Sequence, residues 1–162
     1  KTLRRSRGTL DNALTELRSV ARSLRPPALD QLGLQDALLS LAEDYEVQSG
    51  KEVITDIQAL GDRLGEAGKS ALFRVAQEAL TNVTKHAEAS LVHIELRVIG
   101  SAAQLVIQDN GVGIRSQGNA GLGIANMRER LASLGGKLDL HLRQATSGTR
   151  VVGTLPLATG AS

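Results

Sequence analysis

Apolar residues recur along this chain at two spacings, three to four residues and two residues, and the switches between them mark its elements. Leu3, Leu10, Leu17 and Leu24 stand seven apart, with Leu14 and Ala21 four residues after Leu10 and Leu17. That heptad seam predicts a helix over residues 1 to 25 that wants a partner helix. Pro26-Pro27 ends it, since proline lacks the amide donor and disfavours a helical residue before it. Leu34, Leu38, Leu41 and Ala42 predict a second helix over 34–48, stopped by Gly50. Val53, Thr55 and Ile57 alternate with charge and predict a strand over 51–57. A helix follows over 68–87. Val92, Ile94, Leu96 and Val98 then alternate with His93, Glu95 and Arg97, as in a half-buried strand. Residues 104–108 form a more apolar strand, expected at the centre of a sheet. A glycine-bearing loop over 110–121 leads to a helix over 124–134, closed by Gly135-Gly136. Leu138, Leu140 and Leu142 alternate again, and 149–157 is the last strand. Helices and strands joined by tight connections predict a two-layer α/β sandwich with a mixed sheet.

Composition narrows the picture. A chain of 162 residues is one domain with an appended element, large enough to bury a core without staples. Phe73 and Tyr45 are the whole aromatic content, so aliphatic side chains and alanine must fill that core. With no cysteine there are no disulfides or thiolate metal sites, which fits a cytoplasmic, reducing setting. A net charge of +2 from 19 basic and 17 acidic residues argues against a nucleic-acid binder. No apolar run approaches the roughly 20 residues of a membrane span. The chain opens on Lys1 and reads as a piece of a longer protein, whose membrane attachment these residues do not record.

One constellation carries chemistry. At about 100° per residue, Leu72, Val75, Ala76, Ala79, Leu80, Val83 and Ala87 share a broad stripe of the 68–87 helix. Glu78, Asn82, Lys85 and His86 cluster opposite, within roughly 100° of arc. An ordinary solvated face explains Glu78 and Lys85, but asparagine is a poor helix former whose amide oxygen suits magnesium. Asp109 emerges at the end of the apolar strand 105–107, where a carboxylate accepts a hydrogen bond from the exocyclic amine of adenine. Gly111 and Gly113 let a base approach the backbone. Gly121-Leu122-Gly123 opens a helix, and amides there form a phosphate site.

Residues 77–86, Asp109-Asn110-Gly111-Val112-Gly113 and Gly121-Leu122-Gly123 resemble the N, G1 and G2 boxes of the GHKL ATPases, the superfamily of gyrase, histidine kinases and mismatch-repair proteins. The match is closest to sensor histidine kinases that partner LuxR/NarL-type response regulators, and it covers residues 15 to 157. The resemblance implies the Bergerat ATP-binding fold, with ATP and Mg2+ bound together. It also implies that Asn82, with Glu78 one turn before it, binds the metal and that Lys85 meets phosphate. His86 lies near phosphate or serves to hold a neighbouring group. By likeness to the gyrase branch, Glu78 orients or deprotonates a nucleophile; in the kinases an acidic residue beside the acceptor histidine takes that role instead. Ser147-Gly148-Thr149 resembles the segment whose threonine hydroxyl helps hold the adenine edge.

The same resemblance divides the chain into 1–28, the end of a dimerisation and phosphotransfer bundle, 29–158, the ATP-binding domain, and a tail, 159–162. None of His86, His93 and His141 is followed by an acidic residue. The phosphoaccepting histidine is therefore expected on a helix upstream of Lys1, in a homodimer. Partners implied are ATP, a response regulator and that histidine helix. Competing readings are a hydrolytic module of gyrase type, an anti-sigma serine kinase, and a nucleotide-free dimerising scaffold. Gly68-Lys69-Ser70 is not a P-loop, because Arg63 stands where its first glycine is needed.

Overall fold

The computed structural model describes residues 27–113, 120–142 and 148–158. The heptad helix expected over 1–25, most of the glycine loop and the tail fall outside them. Helix α1 (Pro27–Ser49) starts on a proline, which the first helical turn accepts because its missing amide would be unpaired there. Gly33 breaks it with a φ of 79° and a ψ of 175°. The half after the break buries Leu34, Ala37, Leu38 and Ala42 and exposes Asp36, Glu43, Asp44 and Glu46. Gly50, with φ of 67°, ends it and donates its amide to Glu46 O at 2.9 Å.

Strand β1 (Glu52–Ile57) and a 3-10 turn (Gly61–Leu64) lead to helix α2 (Glu66–Asn82). Its inner face holds Ala71, Leu72, Phe73, Val75, Ala76, Ala79 and Leu80, the spacing of a helix lying flat on a sheet. Beyond Asn82 the helix widens into a π segment (Val83–Ala87), which the sequence did not predict. Strands β2 (Leu91–Ile99) and β3 (Ala102–Asp109) form a hairpin around Gly100-Ser101, with Gly100 at φ of 59°. Helix α3 (Ala120–Ala132), β4 (Lys137–Leu142) and β5 (Thr149–Pro156) complete the described chain.

The sheet runs β1-β2-β3-β5-β4. Only β1 and β2 pair in parallel, so the sheet is mixed, as expected. Strand β3 is central, and Val106, on the face away from the buried Leu105 and Ile107, is itself only 2% exposed. Cross-strand rows such as Ile94–Ile107–Val151 and Leu96–Leu105–Gly153 build the inner face. The opposite face is polar outside the buried Val106–Val152 pair, with Arg97 paired to Asp56 at 2.6 Å and to Glu95 at 3.0 Å. Gly153 leaves room for Leu131, whose Cδ1 lies 3.1 Å from where a Cβ would sit.

Helix α3 begins at Ala120, earlier than the expected residue 124, so Gly121, Leu122 and Gly123 belong to its first turn. Packing of α3 against α2 overrides the weak helix propensity of glycine there. At its other end Gly135 (φ 75°) donates to Ala132 O at 3.0 Å and Gly136 to Leu131 O at 2.8 Å, a Schellman close. No helix among the described residues is long and apolar enough to cross a membrane.

Candidate functional site

Three backbone segments converge where β3 ends and β5 begins. Asp109 is 4% exposed and Thr149 6%, two polar side chains held inside an otherwise aliphatic layer. The β3–β5 register pairs Gln108 with Arg150, so its next step sets Asp109 opposite Thr149. Asp109 Oδ1 accepts the Gly111 amide at 2.8 Å, which fixes the carboxylate against its own loop. A Cβ on Gly111 would drive into the Ala87 carbonyl, and one on Gly148 (φ 130°) into the Asp109 carbonyl. Gly113 (φ 78°) faces the Gly148 carbonyl, 3.5 Å from its would-be Cβ. The glycines thus bring the loop after β3, the π segment and the start of β5 to backbone contact.

The helix side is built by α2. Asn82 is its last residue and half-buried. Glu78, one turn earlier, is half-buried against α3: a Cβ on Gly123 would collide with Glu78 Oε1. This contact joins the predicted acid to the predicted glycine turn. One turn before Glu78, Arg74 donates to Gln77 Oε1 at 3.2 Å. Burial, reinforced by Arg130 on α3, pulls the Arg74 guanidinium below its ordinary pKa.

Lys85 goes elsewhere. In an unbroken α-helix, seven residues make nearly two turns, and Lys85 would share the Glu78 stripe. The π segment advances fewer degrees per residue, and Lys85 instead lines a cavity of about 410 Å³ between α1 and α2, with Gln77, Thr81, Thr84, Asp44 and Tyr45. Tyr45 Oη and Thr84 Oγ1 lie 3.2 Å apart across that cavity. Burial, opposed by the Thr84 and Ser49 hydrogen bonds, raises the Tyr45 phenol above its ordinary 10.0. His86 is exposed, and Glu88 follows the π segment in a left-handed conformation at φ of 49°.

Sequence reasoning missed the π segment, Gly148 as a packing glycine, and Asn110. The Asn110 side-chain oxygen accepts the Ser90 and Leu91 amides, each at 3.0 Å, and its side-chain nitrogen donates to Ser90 Oγ at 3.0 Å. An Asp-Asn-Gly turn was the available signal, because asparagine readily bonds nearby backbone. Among the described residues, no three His, Cys, Asp or Glu side chains are grouped so as to hold an ion unaided.

A sheet layered by three helices, with a buried carboxylate among packed glycines at the end of β3 and an asparagine at the end of the helix packed on that strand, defines a nucleotide-binding class of domain. The chain belongs to the histidine kinase-, DNA gyrase B-, and HSP90-like ATPase family, whose model matches residues 67–159. Sensor histidine kinase MctS of Rhizobium johnstonii is 36% identical over 160 residues, covering 96% of this chain and 34% of that protein. The signal transduction histidine-protein kinase/phosphatase DegS of Brevibacillus brevis is 33% identical over 163 residues, covering 98% and 42%. The chain therefore spans between about a third and two fifths of these relatives' length. Among solved structures, the histidine kinase domain of the Erythrobacter litoralis EL346 blue-light activated kinase superposes with a TM-score of 0.65. It is 22% identical, covering 76% of this chain and 61% of that one, a likeness of fold.

Proposed function

We propose that this chain is the ATP-binding catalytic domain of a two-component sensor histidine kinase. In the parent protein, a homodimer acting in the cytoplasm, the γ-phosphoryl group of ATP passes to a histidine on a helix upstream of these residues. From there it moves to an aspartate of a response regulator of LuxR/NarL type. The kinase relatives and the family match support this branch.

The observation that carries the reading is the buried Asp109 carboxylate, seated in backbone that only glycines permit. Asp109 accepts a hydrogen bond from the adenine exocyclic amine, with Thr149 beside it, and the Gly111 and Gly113 backbone lies against the base. Asn82 and Glu78 would hold Mg2+ through one amide oxygen and one carboxylate, the rest of its ligands being nucleotide oxygens and water. That sparse protein share suits the described residues, which offer no self-sufficient carboxylate cage. When bound, the ion neutralises phosphate charge. The first-turn amides of α3, at Gly121, Leu122 and Gly123, favour an anion. The exposed Lys85, which lines the α1–α2 cavity, would have to swing its long side chain across to reach that anion, and the exposed His86 offers it a ring N–H. An imidazole nitrogen attacks the γ-phosphorus in line, the bond to the β–γ bridging oxygen breaks, and ADP leaves. The domain contributes position and charge rather than covalent chemistry.

Titration calorimetry with Mg-ADP tests the reading. Heat of binding is expected from the chain as it stands and not from Asp109→Asn, whose amide would turn a donor toward the adenine amine. A wild-type chain that yields no heat refutes it.

A further inference from the structure

The base end and the metal end of this site belong to different elements, β3 and α2. Something must set the distance between them. Direct packing joins the two elements through the core, and of the hydrogen bonds that tie the loop after β3 to the stretch after the π segment, most converge on one side chain. Asn110 receives two backbone amides, from Ser90 and Leu91, and gives its own amide hydrogen to Ser90 Oγ, all at 3.0 Å. Its main-chain N–H also reaches Leu91 O at 3.3 Å, and the Val112 N–H donates to Ala87 O at 2.7 Å. Ser90 and Leu91 follow Ala87, the last residue of the π segment, by only three and four positions. Five hydrogen bonds thus fasten the Asp109–Gly113 loop to the stretch that continues α2 beyond Asn82.

We propose that Asn110 is a positioning residue, the clamp that sets Asp109 at a fixed span from Asn82, so that a nucleotide bound at its base presents its phosphates to the metal ligand. The inference rests on the nucleotide reading above and adds to it a residue that touches neither base nor ion. The logic is one of preorganisation. A base can still find Asp109 if the loop shifts, because Gly111 and Asp109 are joined within the loop itself. What a shifted loop loses is registration of the phosphates over Asn82. Removing the clamp therefore weakens the coupling between base and ion more than it weakens base binding. The side chain is exposed, so its loss leaves no cavity in the core.

The measurement is the magnesium enhancement of ADP affinity, the dissociation constant in chelator divided by that in Mg2+. It is taken by calorimetry on the full 162-residue chain for wild type, Asn110→Ala and Ser90→Ala. The expected result is a fall of the enhancement by at least about fivefold in Asn110→Ala, with chelator-side affinity within about threefold of wild type. Ser90→Ala removes one of the three side-chain bonds and is expected to lower the enhancement about twofold. Should Asn110→Ala prove unfolded in a melting scan, Ser90→Ala alone decides. An enhancement equal to wild type in the folded variants, or affinity lost equally with and without Mg2+, overturns the clamp while leaving the nucleotide reading intact. A wild-type chain that binds no ADP in either buffer refutes that reading and this inference with it.

Discussion

Gly123→Ala separates a functional contact from a structural one. Gly123 sits in the first turn of α3, and a Cβ there meets the Glu78 carboxylate: Oε1 inside contact distance, Cδ at 3.3 Å and Cγ at 3.6 Å. The obstructed atom is the far end of a flexible side chain, not backbone, so Glu78 can rotate away. Alanine in a helix is favoured over glycine by about 1 kcal/mol. Forcing Glu78 off its rotamer costs about 0.5–1.5 kcal/mol. The two nearly cancel, and for a chain of this size 1 kcal/mol moves Tm by about 2–4 °C. Melting should therefore shift by no more than about 4 °C. Function should not escape so lightly. Glu78 must retreat by about 1 Å, and misplacement on that scale in a reacting site costs up to about 100-fold. On the proposed function, transfer of labelled phosphate from ATP to the upstream histidine in the full-length protein should slow about 10- to 100-fold. Binding of ADP without magnesium should stay within about threefold of wild type, since Glu78 does not hold the base. Transfer at the wild-type rate would show that the Glu78 position is immaterial. A Tm drop beyond about 8 °C would show that α3 cannot accept the methyl group, and that the contact is structural.

Gly111→Ala is the contrasting case, because its Cβ meets the Ala87 carbonyl, and backbone cannot swing aside. Overpacking of about 1–3 kcal/mol, with loss of the 2.7 Å Val112–Ala87 hydrogen bond, should lower Tm clearly and weaken Mg-ADP binding together; a melting curve matching wild type would refute this. Tyr45 has its pKa raised in the fold, so the folded state holds that proton more tightly than the unfolded chain. The stability this lends is present below about pH 10 and is lost as pH climbs through the folded value. Urea unfolding of Tyr45→Phe should show a shallower decline above about pH 10 than wild type, and about 0.5–1.5 kcal/mol less stability at neutral pH through loss of the Thr84 hydrogen bond. Parallel pH curves would count against it.

Most of the architecture was legible because burial and periodicity agree in it. The inner faces of α2, β2 and β3 are the predicted apolar positions, and β3 lies in the middle of the sheet because Val106 gives it a second apolar face. The half of α1 after Gly33 starts at Leu34, where the apolar repeat begins, although the helix as a whole opens at Pro27. Thr55 shows a limit of the pattern. It alternates correctly with Val53 and Ile57, yet it is exposed, because β1 is an edge strand and α1 covers only part of it. The sequence pattern places the start of α3 four residues late, since the weak propensity of glycine hides a turn stabilised by packing on α2. The positions of Asp109 at the end of β3 and Thr149 at the start of β5 were visible in the sequence. Their convergence depends on Gly148 and Ala87, which carry no side-chain chemistry to announce it.

The π segment has no hydrophobic signature, because it changes phase rather than burial: Val83 and Ala87 stay inside, as an α-helix would have them. Two threonines bond back to carbonyls one turn earlier, Thr81 to Gln77 O at 2.9 Å and Thr84 to Leu80 O at 3.1 Å, a pattern that loosens helices. The widened turn has two consequences at the site. It carries Lys85 round to the α1 side with Gln77 and Thr81, and it delivers the Ala87 carbonyl to the Val112 amide. The Val112–Ala87 bond thus joins the end of the helix bearing Asn82 directly to the loop bearing Asp109. Gly111 is required at the junction because the bond brings two backbones too close for a side chain.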